Sequence, residues 1–137
     1  MSLLDQFDCD RATLERILGD TLLGADDGEL FIEATQSESL AYDDGKLKSA
    51  SYDTRQGFGL RSVFGEASGY AHAGDLSQAA LERAAQAVRA VGNGYSGKMS
   101  KPPRSTNTAL YEAENPLNEP GFEAKARLLE EIDAYAR

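Results

Sequence analysis

Histidine and cysteine most often carry proton transfer, nucleophilic attack and metal ligation near neutral pH. This sequence holds one of each, His72 and Cys9. A catalytic zinc takes three protein ligands from His, Cys and carboxylates, so these two supply at most part of a set. A Ser-His-acid arrangement would have to run through His72, and no Gly-x-Ser-x-Gly elbow is present. His72 alternates with Tyr70 along a strand, which puts both on one face, and it reads as a hydrogen-bonded structural histidine ahead of a catalytic one. Arg61 falls in mid-strand on the face opposite Phe58 and Leu60. There it pairs with a sheet carboxylate, a reading placed ahead of capture of a peptide carboxylate. Asp26-Asp27-Gly28-Glu29 and Asp43-Asp44 lack the spacing and terminal Glu of a calcium loop, so they read as turn formers. Gly57-x-Gly59 has no third Gly opening a helix, which excludes a dinucleotide fingerprint. It marks a place where backbone or ligand comes close to a sheet. Arg61, Tyr70 and His72 are thus the candidate substrate or interface residues, with no catalytic or metal-binding residue assigned.

The elements that position them follow from hydrophobic period. Asp10 caps a helix over 10–24, with Leu14, Ile17, Leu18 and Leu22 at helical spacing and Gly24 as its stop. The period then becomes two: Leu30, Ile32 and Ala34 share a face, and later Phe58, Leu60, Ser62 and Phe64 do. Asp44-Gly45 suits a type I′ hairpin turn and Gly65-Glu66 a type II′ turn with Gly first. Residues 28–74 therefore read as an antiparallel meander of about four to five short strands. Ser77 caps a second helix over 77–91, with Leu81, Ala84, Ala85, Val88 and Val91 as its stripe. Residues 92–120 carry Pro102-Pro103, Pro116 and Pro120 and read as an irregular connection. A third helix begins near 121 with Phe122, Leu129, Ile132 and Ala136 on one side, and reads as running past Arg137. The expected class is α+β, a single domain over 1–137 with one sheet flanked by an N-terminal helix and two later helices.

Charge narrows the function classes. Fourteen Lys and Arg against 23 Asp and Glu give −9 over 137 residues. Residues 1–53 carry 13 acidic and 4 basic side chains, whereas residues 54–137 carry ten of each. A nucleic-acid reader needs a basic stripe to displace counterions, so direct nucleic-acid binding is not expected. A lone Cys closes no internal disulfide, the N-terminus lacks a signal-peptide pattern, and no apolar run reaches the about 20 residues that span a bilayer. These features point to a cytoplasmic domain with no membrane partner.

The ordered set of small motifs resembles the N-terminal domain of the TldD/PmbA metallopeptidase family, also described as modulators of DNA gyrase. The segments are Gln36-Ser37-Glu38-Ser39, then Asp44-Gly45-Lys46-x-x-Ser49-x-Ser51-Tyr52, then Gln56-Gly57-x-Gly59-x-Arg61. Gly65-Glu66-x-x-Gly69-Tyr70-Ala71-His72-Ala73 and Asp75-Leu76-Ser77 follow. Leu110-Tyr111, Asn115-Pro116-Leu117 and Glu123-Ala124-Lys125 complete the order, so that the likeness runs from about residue 11 to 137 and is closer to TldD than to PmbA. It implies a zinc peptidase whose His-Glu-x-x-x-His helix lies in a later part of a longer chain. That motif is absent from these 137 residues, which are therefore expected to be inactive alone. The resemblance further implies hollow dimers, homodimeric or formed with a paralogue, that admit unfolded or short peptides. A domain like this one would wall the chamber and support assembly. The family is also linked to peptide-antibiotic maturation, antitoxin turnover and gyrase modulation. The competing expectation is a stand-alone module that binds a peptide or protein without catalysis.

Overall fold

The computed structural model describes residues 3–98 and 114–137. The Pro102-Pro103 pair, Leu110-Tyr111 and the middle of the expected 92–120 connection lie outside them. The chain divides into two compact units, Met1–Ala34 with Arg55–Arg104 and Thr35–Thr54 with Ser105–Arg137.

In the first unit a 3-10 turn at Leu3–Gln6 leads into helix α1, Arg11–Thr21. Asp10 caps it: the Thr13 amide donates to Oδ1 at 2.7 Å. Three antiparallel strands, β1 (Asp27–Asp43), β2 (Lys46–Phe64) and β3 (Ala67–Ala73), pair in the order β1-β2-β3. Helix α2, Gln78–Val91, begins where the Ala80 amide donates to the Ser77 hydroxyl. Strand alternation decides what is buried. Phe58, Leu60, Ser62 and Phe64 of β2 all point inward and are at most 5% exposed. Phe58 and Leu60 join Leu14 and Ile17 of α1 and Ala80, Leu81, Ala84, Ala85 and Val88 of α2 in one apolar cluster. Leu60 and Leu81 are completely buried, and each such side chain contributes about 1.5–3 kcal/mol. Leu30 and Ile32 of β1 pack against this cluster; Ala34, expected on the same face, is exposed.

The strands are fewer and longer than the turn signals suggest. β1 has 17 residues and β2 has 19, so a class of α+β with three α-helices holds while the count of four to five strands is corrected to three among the described residues. The reason is local. Gln36-Ser37-Glu38 and Thr54-Arg55-Gln56 are polar but contain neither Pro nor Gly, so nothing there forces the backbone out of the pleat. Real breaks fall at the two glycine turns. Asp44 and Gly45 have φ of 51° and 69°, as a type I′ turn requires, and Gly65 has φ of 61°.

Two close approaches tie the first unit together. At Gly69 of β3 a Cβ would stand 2.8 Å from the Val88 carbonyl oxygen, so α2 can lie this near the sheet only over glycine. At the sheet's end, Asp26 accepts hydrogen bonds from the Tyr95 hydroxyl and the Gly65 amide, both at 2.7 Å. These bonds, the tyrosine's first, hold the Asp26 carboxyl below the usual range, and the same bond pushes the Tyr95 phenol up.

The second unit contains residues 35–43 of β1, 46–54 of β2 and helix α3, Phe122–Ala136. The Gly45 amide donates to Asp133, Arg137 pairs with both Asp44 and Asp133, and Lys125 bonds Glu38 and the Leu117 carbonyl. The half-buried stripe of α3 is Lys125, Ala126, Leu129 and Asp133. Phe122 and Ile132, expected on the packed side, are 48% and 54% exposed because these polar anchors select the face that meets the hairpin.

Gly69→Ala should lower stability by about 1–3 kcal/mol, since the new methyl meets rigid helix backbone. Gly19→Ala, in an open stretch of α1 with nothing within 4 Å, should raise it by about 0.5–1 kcal/mol. Urea unfolding of the two variants checks the opposite signs. For Asp26 the folded pKa is depressed, so its contribution is present above the ordinary value of 3.8 and is lost as pH falls through the folded value. For Tyr95 the folded pKa is raised from 10.0, so its contribution is lost as pH rises through the folded value. Acid unfolding followed by circular dichroism should therefore show a weaker pH dependence below 3.8 in Asp26→Asn than in the parent chain.

Candidate functional site

If the even positions of β2 serve the core, the odd ones must face outward, and they bring the candidate residues together. In the β2–β3 register Gly59 stands opposite His72 and Arg61 opposite Tyr70, so all four share the outer face. Tyr70 leans across Gly59: a Cβ there would be 2.9 Å from the tyrosine hydroxyl. The ring stacks on His72 with centroids 5.8 Å apart and planes at 29°. His72 is exposed, and its ring takes part in this stack.

Beside the stack lies an open groove of about 310 Å³, lined by Phe31 and Glu33 of β1, Arg55 and Gly57 of β2, and Tyr70 and His72 of β3. That volume sits at the lower end of the range of about 300–1,000 Å³ found for ligand pockets. Phe31 and Tyr70 are 59% and 66% exposed, an unusual concentration of aromatic surface on a sheet face. Gly57 forms part of the floor, and a Cβ there would stand 2.7 Å from the Ala73 carbonyl oxygen. The two glycines thus permit one backbone approach and one ring approach.

Arg61 lies outside the groove lining and is committed to β1. Its Nε donates to Glu29 at 2.9 Å and its Nη2 to Asp27 at 2.8 Å. These bonds, that to Glu29 first, raise its already high pKa. Both carboxylates are more than half exposed, so the pairs fix geometry more than they add stability, being worth about 0–1 kcal/mol each. The acidic run at 26–29 is therefore held from two sides, Asp26 by Tyr95 and Gly65 and the next two carboxylates by Arg61.

The sequence did not single out Phe31, Glu33 or Arg55. Phe31 had a usable signal, an aromatic at an odd position in a strand whose even positions are the apolar ones. Arg55 had none, because it sits in a polar stretch, Thr54-Arg55-Gln56, that carries no apolar alternation. Cys9 is half-buried, and burial first, then the charges of Asp8, Asp10 and Glu82, pushes its thiol up, against a ligating thiolate. Among the described residues no group of three or more His, Cys, Asp or Glu side chains gathers as a metal site. The donors present there do not fit a catalytic metal. No helix among the described residues is long and apolar enough to cross a membrane.

Residues 28–92, which hold the whole groove, match the family model described as PmbA/TldA metallopeptidase domain 1. The chain is 33% identical over 115 residues to the metalloprotease TldD homolog of Haemophilus influenzae, covering 82% of this chain and 24% of that protein. The corresponding proteins of two Buchnera aphidicola subspecies, from Schizaphis graminum and Acyrthosiphon pisum, are each 27% identical. Those matches cover 82% and 74% of this chain and 23% and 21% of the relatives. The chain spans about a quarter of the length of the curated relatives it matches. The family-model match and the sequence likeness to the Haemophilus influenzae protein give one conclusion: the chain belongs to the PmbA/TldD metallopeptidase family, whose first domain it carries.

Proposed function

We propose that this chain is the non-catalytic front domain of a TldD-like zinc metallopeptidase acting on unfolded or short peptides in the cytoplasm. Its outer sheet face forms part of the wall past which substrate moves, and the domain supports assembly into a homodimer or a heterodimer with a paralogue. Hydrolysis belongs to a zinc site elsewhere in a longer chain, which this domain serves by holding peptide. The observation that carries the reading is the open aromatic groove, where Tyr70 and His72 stack above a glycine floor beside Phe31. Such a surface offers area without demanding one side chain, which suits substrates of varied sequence. Arg61 takes part indirectly, by neutralising Asp27 and Glu29 next to that surface.

A second reading, a peptide- or protein-binding module that acts without a peptidase, is favoured by the fact that the groove is complete within residues 31–74. The two readings part on adding a longer family chain that carries the His-Glu-x-x-x-His helix. In the first the chains associate and bound peptide is cleaved; in the second neither happens.

Binding is checked by fluorescence anisotropy with a fluorescein-labelled unfolded peptide of mixed sequence. Tyr70→Ala and His72→Ala should each weaken affinity by about three- to tenfold, the scale of one lost ring contact. Unchanged affinity in both variants, with circular dichroism intact, would remove the groove from the substrate path. Peptide turnover by the 137-residue chain with added zinc, abolished in His72→Ala, would overturn the non-catalytic assignment.

A further inference from the structure

The sequence holds four asparagines, Asn93, Asn107, Asn115 and Asn118, and the residues after them are Gly94, Thr108, Pro116 and Glu119. Only Asn93 precedes a glycine, whose missing side chain leaves its own amide nitrogen sterically free to act as a nucleophile. The fold places this pair in the turn that ends α2. The Gly92 amide donates to the Arg89 carbonyl, and the Tyr95 amide donates to the Gly92 carbonyl at 3.0 Å. Asn93 and Gly94 are thus the central residues of a four-residue turn, with the positive φ at Gly94, 84°, that a type II turn requires. Both are exposed, and no heavy atom lies within 4 Å of the place a Gly94 Cβ would take. Among the described residues, neither the Asn93 side chain nor the peptide joining the two makes a hydrogen bond. The turn is held by its outer groups alone, so its central peptide is free to rotate and bring the Gly94 nitrogen onto Asn93 Cγ.

Beyond the turn the chain is fastened down as a strap. The Tyr95 hydroxyl donates to Asp26, and its ring meets Phe64 edge-on with centroids 6.0 Å apart. Two residues later the Gly97 amide donates to the Gly24 carbonyl at 2.7 Å. The direction in which Tyr95 leaves the turn therefore depends on the length of backbone through Asn93.

We infer that Asn93 is a deamidation site of the folded chain and that its conversion loosens the Tyr95 strap. The Gly94 nitrogen, having lost its proton to solvent, bonds to Asn93 Cγ. The side-chain nitrogen leaves as ammonia, taking a proton from water, and a five-membered imide remains. Water then splits one of the imide's two carbonyl carbon–nitrogen bonds. Splitting at Cγ leaves an ordinary aspartate; splitting at the main-chain carbonyl leaves the chain running through Cγ, one carbon longer. The net change is hydrolysis of one amide to a carboxylate and ammonium, and water is its only co-reactant. The longer link pulls the Gly92–Tyr95 turn apart and swings Tyr95 off Asp26. None of these residues lines the groove, so the inference stands or falls apart from the peptide-binding reading.

The test holds the 137-residue chain at mildly alkaline pH and physiological temperature, beside a synthetic peptide of residues 90–97 as the unstructured reference. Peptide mapping by mass spectrometry follows the amide-to-acid mass gain. Asn93 should convert first of the four asparagines, at a rate within about threefold of the free peptide, as an unprotected turn allows. Gly94→Ala should slow conversion by about tenfold or more, in the chain and in the peptide alike, because the methyl hinders the attacking nitrogen. The longer-linked product, separated by ion exchange, should unfold at lower urea than the fresh chain. The shift should be much smaller in Tyr95→Phe, which has already lost the bond to Asp26. Protection of Asn93 by about tenfold or more in the folded chain overturns the site, as does unchanged conversion in Gly94→Ala. An equal urea shift in the parent chain and Tyr95→Phe overturns the link to the strap.

Discussion

The period-two alternation of β2 is the constraint on which the first unit depends. Its residues from Phe58 to Phe64 face alternately the helices and the outside, so each inward choice fixes an outward neighbour. Phe58, Leu60 and Phe64 inside require Gly57, Gly59 and Arg61 to be what the outer face shows. A slip of one residue would drive Arg61 into the apolar cluster and expose Leu60. The core is thus the device that holds the aromatic groove in place, and the groove can remain open because the fold draws its stability from the other side of the same strand.

Close approach by small residues is the second theme. Alanines along α2 and Gly69 on β3 let helix backbone and sheet backbone come nearly into contact, which leaves little room for the sheet to shift beneath its helix. On the outer face Gly59 plays the corresponding part for a side chain, allowing Tyr70 to lie over the strand. Glycine has two distinct uses here, one mechanical and one that shapes a binding surface.

Much of this was legible in the sequence because the signals were local. Asp10 and Ser77 as caps, Asp44-Gly45 and Gly65 as turns, and the inward set of β2 each depend on residues a few positions apart. The face shared by Tyr70 and His72 was legible for the same reason. What escaped was set by distance or by the absence of a breaker. Tyr95 reaches Asp26 across 69 positions, and no pattern near either residue announces the bond. Strand continuity through Gln36-Ser37-Glu38 and Arg55 escaped because polar residues without Pro or Gly permit a strand but do not demand one. The side of α3 that packs was misread because Lys125 and Asp133, both charged, proved to be its anchors. An apolar count favours Ile132 over either of them.

The hairpin tip has a chemical as well as a conformational side. Asp-Gly steps age by cyclisation, in which the glycine amide nitrogen attacks the aspartate side-chain carbonyl and the ring reopens to an isoaspartyl link. At Asp44-Gly45 both reacting groups are engaged, the carboxylate by Arg137 and the amide by Asp133. The arrangement that orients α3 against the turn therefore also shields the most hydrolytically fragile peptide of the hairpin, and loosening the last turn of that helix would shorten the chemical lifetime of the chain.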